Sequence, residues 1–125
     1  RDAAGEWTHT FQVARTLCLA GAVAAGVQPI DTIYADFRDA EGFAADCAAA
    51  AADGFLGKMA IHPAQVEPIN AAFTPTDAAI AEAQAIVDAL AAAPDAGTIG
   101  LDGRMIDRPH LVKAEALLAR AKAYI

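Results

Sequence analysis

The sequence predicts an α/β protein in which this chain forms part of a larger parallel sheet or barrel. Alanine-rich stretches such as "AEGFAADCAAAAADG" (40–54) carry apolar residues at helical spacing. Two short runs, "IDTIYADF" (30–37) and "KMAI" (58–61), bring β-branched and aromatic residues between those helices. A strand, a helix and a second strand in that order ask for parallel pairing through a right-handed crossover. Two strands do not make a stable α/β sheet alone, so further sequence or partner chains are expected to complete it.

The elements follow in order. Arg1 to Thr10 reads as polar and irregular, with Gly5, Trp7 and His9. From Phe11 to Ala25 the residues Val13, Leu17, Ala20 and Ala24 return on one helical face, and Gly26 stops the helix. Ile30 to Phe37 reads as a buried strand that ends in Asp36, Arg38 and Asp39. A helix over Ala40 to Asp53 stops at Gly54, and a second strand covers roughly Lys58 to Ile61. Pro63 suits a first helical turn, and Pro68 makes the next helix short or kinked. Thr74-Pro75-Thr76-Asp77 reads as a helix start, with Thr74 as cap, Pro75 at the first position and Asp77 in the first turn. Its apolar face is Ile80, Ala83, Ile86, Val87 and Leu90. "APDAGTIGLDG" (93–103) is a loop or hairpin, and the last helix shows Leu111, Ala114, Leu118, Ala121 and Ile125 on one face.

Composition narrows the function. The 125 residues suit one compact domain; 56% are hydrophobic, 20% are charged, and mean hydropathy is +0.31. No apolar run approaches the roughly 18 residues of a membrane span, so a soluble, cytoplasmic chain is expected. A net charge of −7 and pI near 4.7 argue against a nucleic-acid surface. Cys18 and Cys47 lack CxxC spacing and read as small buried hydrophobes in a reducing compartment. The chain has no serine, which removes a serine nucleophile, and neither a P-loop nor a GxGxxG fingerprint occurs.

In parallel α/β folds, chemistry gathers where strands end and helices begin. Asp36-Phe37-Arg38-Asp39 and Ala60-Ile61-His62-Pro63 are two such places. At the first, Asp39 reads as a helix cap and Asp36 as a partner of Arg38, against a polar role for Asp36 at a pocket mouth. His62 reads as a general base, a metal ligand or a phosphate contact, against a hydrogen-bonded structural residue beside a proline; no HxxxH or HExxH spacing supports a metal. Lys58 pairs with a phosphate or snorkels from the strand edge. Asp107, just before Arg108-Pro109, is what a helix N-terminus asks for, and physics alone favours the cap over a catalytic acid.

"GFLGKMAIHPAQVEPINAAFTP" (54–75) followed by "GLDGRMIDRPHLVKAEALL" (100–118) changes those odds. With "AAGVQPIDTIYADFRDAEGF" (24–43) before them, these segments strongly resemble the end of the citrate lyase beta-subunit-like proteins. Those proteins belong to the HpcH/HpaI aldolase group, which also holds malyl-CoA lyases. The GK-x-x-IHP-x-Q and G-x-MID-x-P pair is specific, and the resemblance covers nearly the whole chain. It implies the C-terminal part of a TIM-type (β/α)8 barrel with a helical C-terminal extension. Residues 1–73 would be the last strands and helices, and residues 74–125 the extension, serving oligomerisation. It further implies a magnesium-dependent carbon–carbon lyase acting on an oxo or hydroxy acid or an acyl-CoA thioester.

In the resembled trimers the aspartate of the MID motif reaches into a neighbouring subunit's pocket. That implies a homotrimer or larger homo-oligomer here, with Asp107 as catalytic acid or base. Asp36, Ile61, His62 and Pro63 are implied as substrate-binding, against the acyl-CoA arm. The family's metal-binding Glu and Asp and its substrate-binding Arg lie on earlier strands and have no counterpart motif here. The magnesium ligands are therefore expected outside this sequence, and the chain alone is expected to be inactive. The rival expectation is a non-catalytic assembly module whose helical extension holds subunits together.

Overall fold

The structure, a computed structural model, describes residues 2–3 and 7–123. The expected irregular start is thus covered only in part, and Ile125 lies outside the described residues. The chain divides into two compact units, Arg1–Phe73 and Thr74–Ile125.

The first unit runs α1 (His9–Ala24), β1 (Ile30–Asp31), α2 (Ala40–Asp53), β2 (Gly57–Lys58), a 3-10 turn (Pro63–Gln65) and α3 (Val66–Phe73). β1 and β2 pair in parallel, Ile30 beside Gly57 and Asp31 beside Lys58, as the strand-helix-strand order requires. The strands are shorter than expected. β-branched residues after Asp31 are suited to extended backbone, but a ladder reaches only as far as its partner does. β2 is soon diverted by the turn that His62 and Pro63 begin.

α2 shows how completely local signals can define a helix. Asp39 accepts from the Gly42 amide at 2.9 Å as N-cap, and Gly54, at φ +107°, closes the C-terminus in a left-handed conformation open to glycine. The helix buries Phe43, Cys47 and Ala50 against Phe55 and Phe73. Cys47 is thus a core residue, as expected, whereas Cys18 is exposed.

That exposure belongs to a larger correction. Val13 and Leu17, placed on the inward face of α1, are 42% and 66% exposed. The helix instead turns Arg15, Leu19 and Ala22 inward. In an alanine-rich helix, periodicity leaves several faces open, and here a charge fixes the rotation. Arg15 grips Asp31 with two hydrogen bonds, Nε to Oδ1 at 2.8 Å and Nη2 to Oδ2 at 3.1 Å. Its third donor reaches Asp53 at 2.6 Å, and its guanidinium lies 4.6 Å over the Phe55 ring.

Asp31, only 2% exposed, also accepts from Lys58 Nζ at 2.9 Å, and Lys58 pairs with Asp46 of α2 at 2.6 Å. The side chain of Lys58 is wholly buried, so it neither snorkels nor waits for a phosphate. Both alternatives fail because two carboxylates already hold its ammonium. Burial pushes the Asp31 carboxyl up, but the hydrogen bonds from Arg15 and Lys58 outweigh that and hold it below its ordinary pKa.

The second unit contains α4 (Asp77–Ala91), an antiparallel hairpin of β3 (Thr98–Leu101) and β4 (Arg104–Asp107), and α5 (Arg108–Lys122). Thr76, not Thr74, caps α4, accepting from the Ala79 amide at 3.2 Å. A threonine hydroxyl reaches the amide three residues on, and the first free helical amides follow Thr76. The "LDGR" turn is a two-residue hairpin with both central residues at positive φ, Asp102 at 50° and Gly103 at 76°, which favours this Asp-Gly pair. Small residues Ala83, Ala114 and Ala121 are buried on α4 and α5, and Ile106 of β4 is 2% exposed.

Asp31→Ala in this chain is expected to cost about 3 kcal/mol, the low end for breaking a buried ion pair, because Asp46 and Asp53 still serve the two cations. Urea denaturation at neutral pH checks this. Because the folded pKa of Asp31 is depressed, its contribution is complete above about pH 4, near the unfolded carboxyl value, and is lost as pH falls through the folded value. The stability gap between wild type and variant should therefore close in acid.

Candidate active site

The parallel pairing of β1 and β2 sends the chain out of both strands at the same end. The segment after β1 carries Asp36, Phe37 and Arg38, and the segment after β2 carries Ile61, His62 and Pro63. These two loops meet: the Phe37 and His62 rings stack with centroids 4.7 Å apart and planes 14° apart. Arg38 adds its guanidinium 5.5 Å from the Phe37 ring centre. His62 is also the N-cap of the 3-10 turn, its Nδ1 accepting from the Ala64 amide at 3.2 Å, with Pro63 in the first position. A lone pair on Nδ1 is thereby committed, which leaves Nε2 as the nitrogen that can address a ligand.

Asp36 lies in the irregular segment just before the Phe37–Arg38 turn, not at a strand end, because β1 stops at Asp31. It does interact with Arg38, but through the backbone: Oδ1 accepts from the Arg38 amide at 3.0 Å. This is the local turn geometry that short aspartates favour. Asp39, the helix cap, also accepts from the Tyr34 hydroxyl at 2.7 Å, and that hydrogen bond lowers its carboxyl pKa.

Gln65 is a residue that its place in the sequence does not single out. Gln65 is 2% exposed; its Oε1 accepts from the Ile61 amide at 2.8 Å and its Nε2 donates to the Tyr34 carbonyl at 3.0 Å. One side chain thus bolts the loop after β2 to the loop after β1. The backbone amide of Ile61 is consumed by that clamp, so Ile61 offers its half-exposed side chain rather than its N–H. The signal in the sequence is faint: a glutamine three residues after a capping position, inside the IHP-x-Q motif.

Asp107 belongs to the second unit. Strand alternation turns Ile106 into the core and leaves Met105 66% exposed, with Asp107 on the side of Met105. Asp107 is also N-cap of α5, with Pro109 in the first turn. Its carboxylate Oδ1 lies 2.5 Å from Nδ1 of His110, and the carboxylate is 30% exposed. The hydrogen bond from His110 holds the Asp107 carboxyl below its ordinary range. The cap and a solvent-reachable ionised acid are therefore compatible at this position.

The described residues do not make a magnesium site. No group of three or more His, Cys, Asp or Glu side chains among them could hold a metal ion. Hard divalent cations need several oxygen ligands, and the best-placed carboxylates here are committed to Arg15, Lys58 and helix amides. No described helix is long and apolar enough to cross a membrane.

A parallel pair of strands joined through a helix, with polar loops at one shared end, is the repeating unit of α/β proteins, in open sheets and barrels alike. A family model for carbon–carbon bond lyases of the TIM-barrel fold matches residues 8–125, and the chain belongs to that family. The L-malyl-CoA/beta-methylmalyl-CoA lyase of Rhodobacter capsulatus is 38% identical over 118 residues, covering 93% of this chain and 37% of that protein. The citrate lyase subunit beta of Haemophilus influenzae is 39% identical over 114 residues, covering 90% of this chain and 39% of that protein. Among solved structures, CitE of Mycobacterium tuberculosis, in complex with magnesium, acetoacetate and coenzyme A, superposes with a TM-score of 0.79 at 31% identity. That match covers 98% of this chain and 45% of CitE. The chain therefore spans about two fifths of the length of the curated relatives it matches. The fold class expected from the sequence, the C-terminal part of a TIM-type barrel with a helical extension, stands.

Gln65→Ala would strand the Ile61 amide and remove the Gln65 donor from the Tyr34 carbonyl, at a cost of about 1–3 kcal/mol. Chemical denaturation measures the cost, and hydrogen exchange at the Ile61 amide is expected to accelerate while the α2 amides keep their order of protection.

Proposed function

We propose that this chain is the C-terminal part of a magnesium-dependent carbon–carbon lyase that cleaves or forms a bond beside the carbonyl of an acyl-CoA thioester or an oxo or hydroxy acid. The family membership supports the lyase class. The single observation that carries the chemistry is Asp107: a carboxylate at a helix mouth, reachable by solvent and kept ionised by a neighbouring donor.

In the condensation direction an ionised Asp107 accepts a proton from the carbon next to the thioester carbonyl. In cleavage the carbon–carbon bond breaks as the substrate hydroxyl becomes a carbonyl, and the proton that hydroxyl gives up passes through Asp107 to the same carbon. Asp36, Ile61, His62 and Pro63 border the acyl-CoA arm in this proposal, with Nε2 of His62 as the polar contact and the Phe37–His62 stack as an apolar wall. Asp107 serves the pocket of a second copy, within a homotrimer or larger homo-oligomer in the cytoplasm. When bound, magnesium would stabilise negative charge on the substrate oxygens, using ligands outside this sequence. The rival, a pure assembly module, draws support from the alanine-lined faces of α4 and α5 but gives no role to an ionised Asp107.

Asp107→Asn keeps a capping oxygen while removing the acid. In the complete protein, turnover of malyl-CoA or beta-methylmalyl-CoA is expected to fall about 10²- to 10⁴-fold with substrate affinity retained. Undiminished turnover would refute the acid/base role. Calorimetric titration of magnesium chloride into the 125-residue chain should show no saturable binding. Saturable binding would place the ligands here instead.

A further inference from the structure

α5 begins with an unusual pairing. A helix N-cap is often met by a glutamate or glutamine three residues on, whose side chain reaches back to the N-cap amide. After Asp107 that third position is His110. A glutamate there would set a second negative charge against the aspartate, whereas an imidazole can present a donor to it.

The geometry asks Nδ1 of His110 to do two incompatible things. It lies 3.3 Å from the Asp107 amide nitrogen, which suits an acceptor, and 2.5 Å from Oδ1 of the same residue. One ring nitrogen carries either a lone pair or a hydrogen, not both. At 2.5 Å a lone pair facing a carboxylate oxygen would be repelled, while an N–H makes a short, charge-assisted hydrogen bond. The amide contact is long by comparison. The hydrogen therefore belongs on Nδ1, and the imidazole holds the carboxylate instead of the backbone.

We propose that His110 is the positioning residue of Asp107: its Nδ1–H fixes the rotation of the carboxylate and keeps it a proton acceptor in the resting protein. The functional part of this inference rests on the acid/base role proposed above for Asp107; the clamp itself does not. Any form of the ring that carries a hydrogen on Nδ1 supplies the donor. The charged groups around His110 are few. Glu82 of α4, Arg104 of β4 and Lys113 of α5 line the same cavity of about 230 Å³, together with Ile106 and Leu117. Glu82 and Arg104 pair with one another at 2.7 Å, which leaves Lys113 and Asp107 as the other charged groups beside the ring.

The first test is long-range ¹H–¹⁵N NMR of the histidines in the 125-residue chain, with His110→Asn to assign the signal. A protonated Nδ1 for His110 above its titration is the expected result, and an unprotonated Nδ1 overturns the clamp. The second test is the pH profile of the complete protein. His110→Ala should lower kcat about 10- to 100-fold, as a loosened catalytic group does, with little change in KM. Its acid limb should move up toward the ordinary carboxylate range, and His110→Asn, whose carboxamide can still donate, should restore part of both. Unchanged kcat and an unchanged acid limb in His110→Ala overturn the positioning role. If the wild-type complete protein neither makes nor breaks carbon–carbon bonds, the function proposed for Asp107 fails, and the NMR result alone decides the clamp.

Discussion

Everything in the first unit turns on one buried carboxylate. Asp31 takes two hydrogen bonds from Arg15 and one from Lys58, and through those partners it engages α1, β2 and α2 from its place on β1. An ionised group sealed from water is costly unless its lone pairs are filled, so the arrangement tolerates little rotation or register shift. A slip of one residue in either strand would send Asp31 or Lys58 to the opposite face and leave charges unpaired. With only a two-residue ladder, backbone pairing alone is a weak constraint, and the charge network supplies the register.

That rigidity is what places the loops. Because β1 and β2 are locked side by side, Phe37 and His62 leave their strands close enough to stack, and Gln65 can span from Ile61 to Tyr34. The imidazole, the aromatic ring and the buried amide form a small ordered ridge, with Nδ1 of His62 and both ends of the Gln65 amide engaged by the backbone. A binding surface built this way loses little conformational freedom when a ligand arrives. In the second unit the same logic is local. The two-residue hairpin turn sets the alternation that buries Ile106 and exposes Met105, and the start of α5 sets the spacing from Asp107 to His110.

How much of this could be read from the chain alone depended on the range of the interaction involved. The ends of α2 and the inward faces of α4 and α5 follow from residues within one or two turns of each other, and they were legible, whereas 93–103 read only as a loop or hairpin. The α1 face was misjudged because alanine periodicity carries little information about rotation, while Arg15 answers to Asp31, sixteen residues away. Lys58 was misjudged for the same reason, its partners being remote in sequence. The strands were overestimated because β-branched composition reports a capacity for extension, not the presence of a partner.

The sequence by itself determined the family, through the GK-x-x-IHP-x-Q and G-x-MID-x-P motifs, and with it the barrel class and the candidate acid. It also determined the boundaries of α2, since its Asp39 cap and Gly54 stop are short-range features written in neighbouring residues. Only the tertiary structure decided which charges are buried, that Gln65 ties two loops together, and that His62 stacks on Phe37. The reason is physical. Burial and side-chain pairing between distant segments depend on where the backbone brings them, and no periodicity within either segment encodes that meeting.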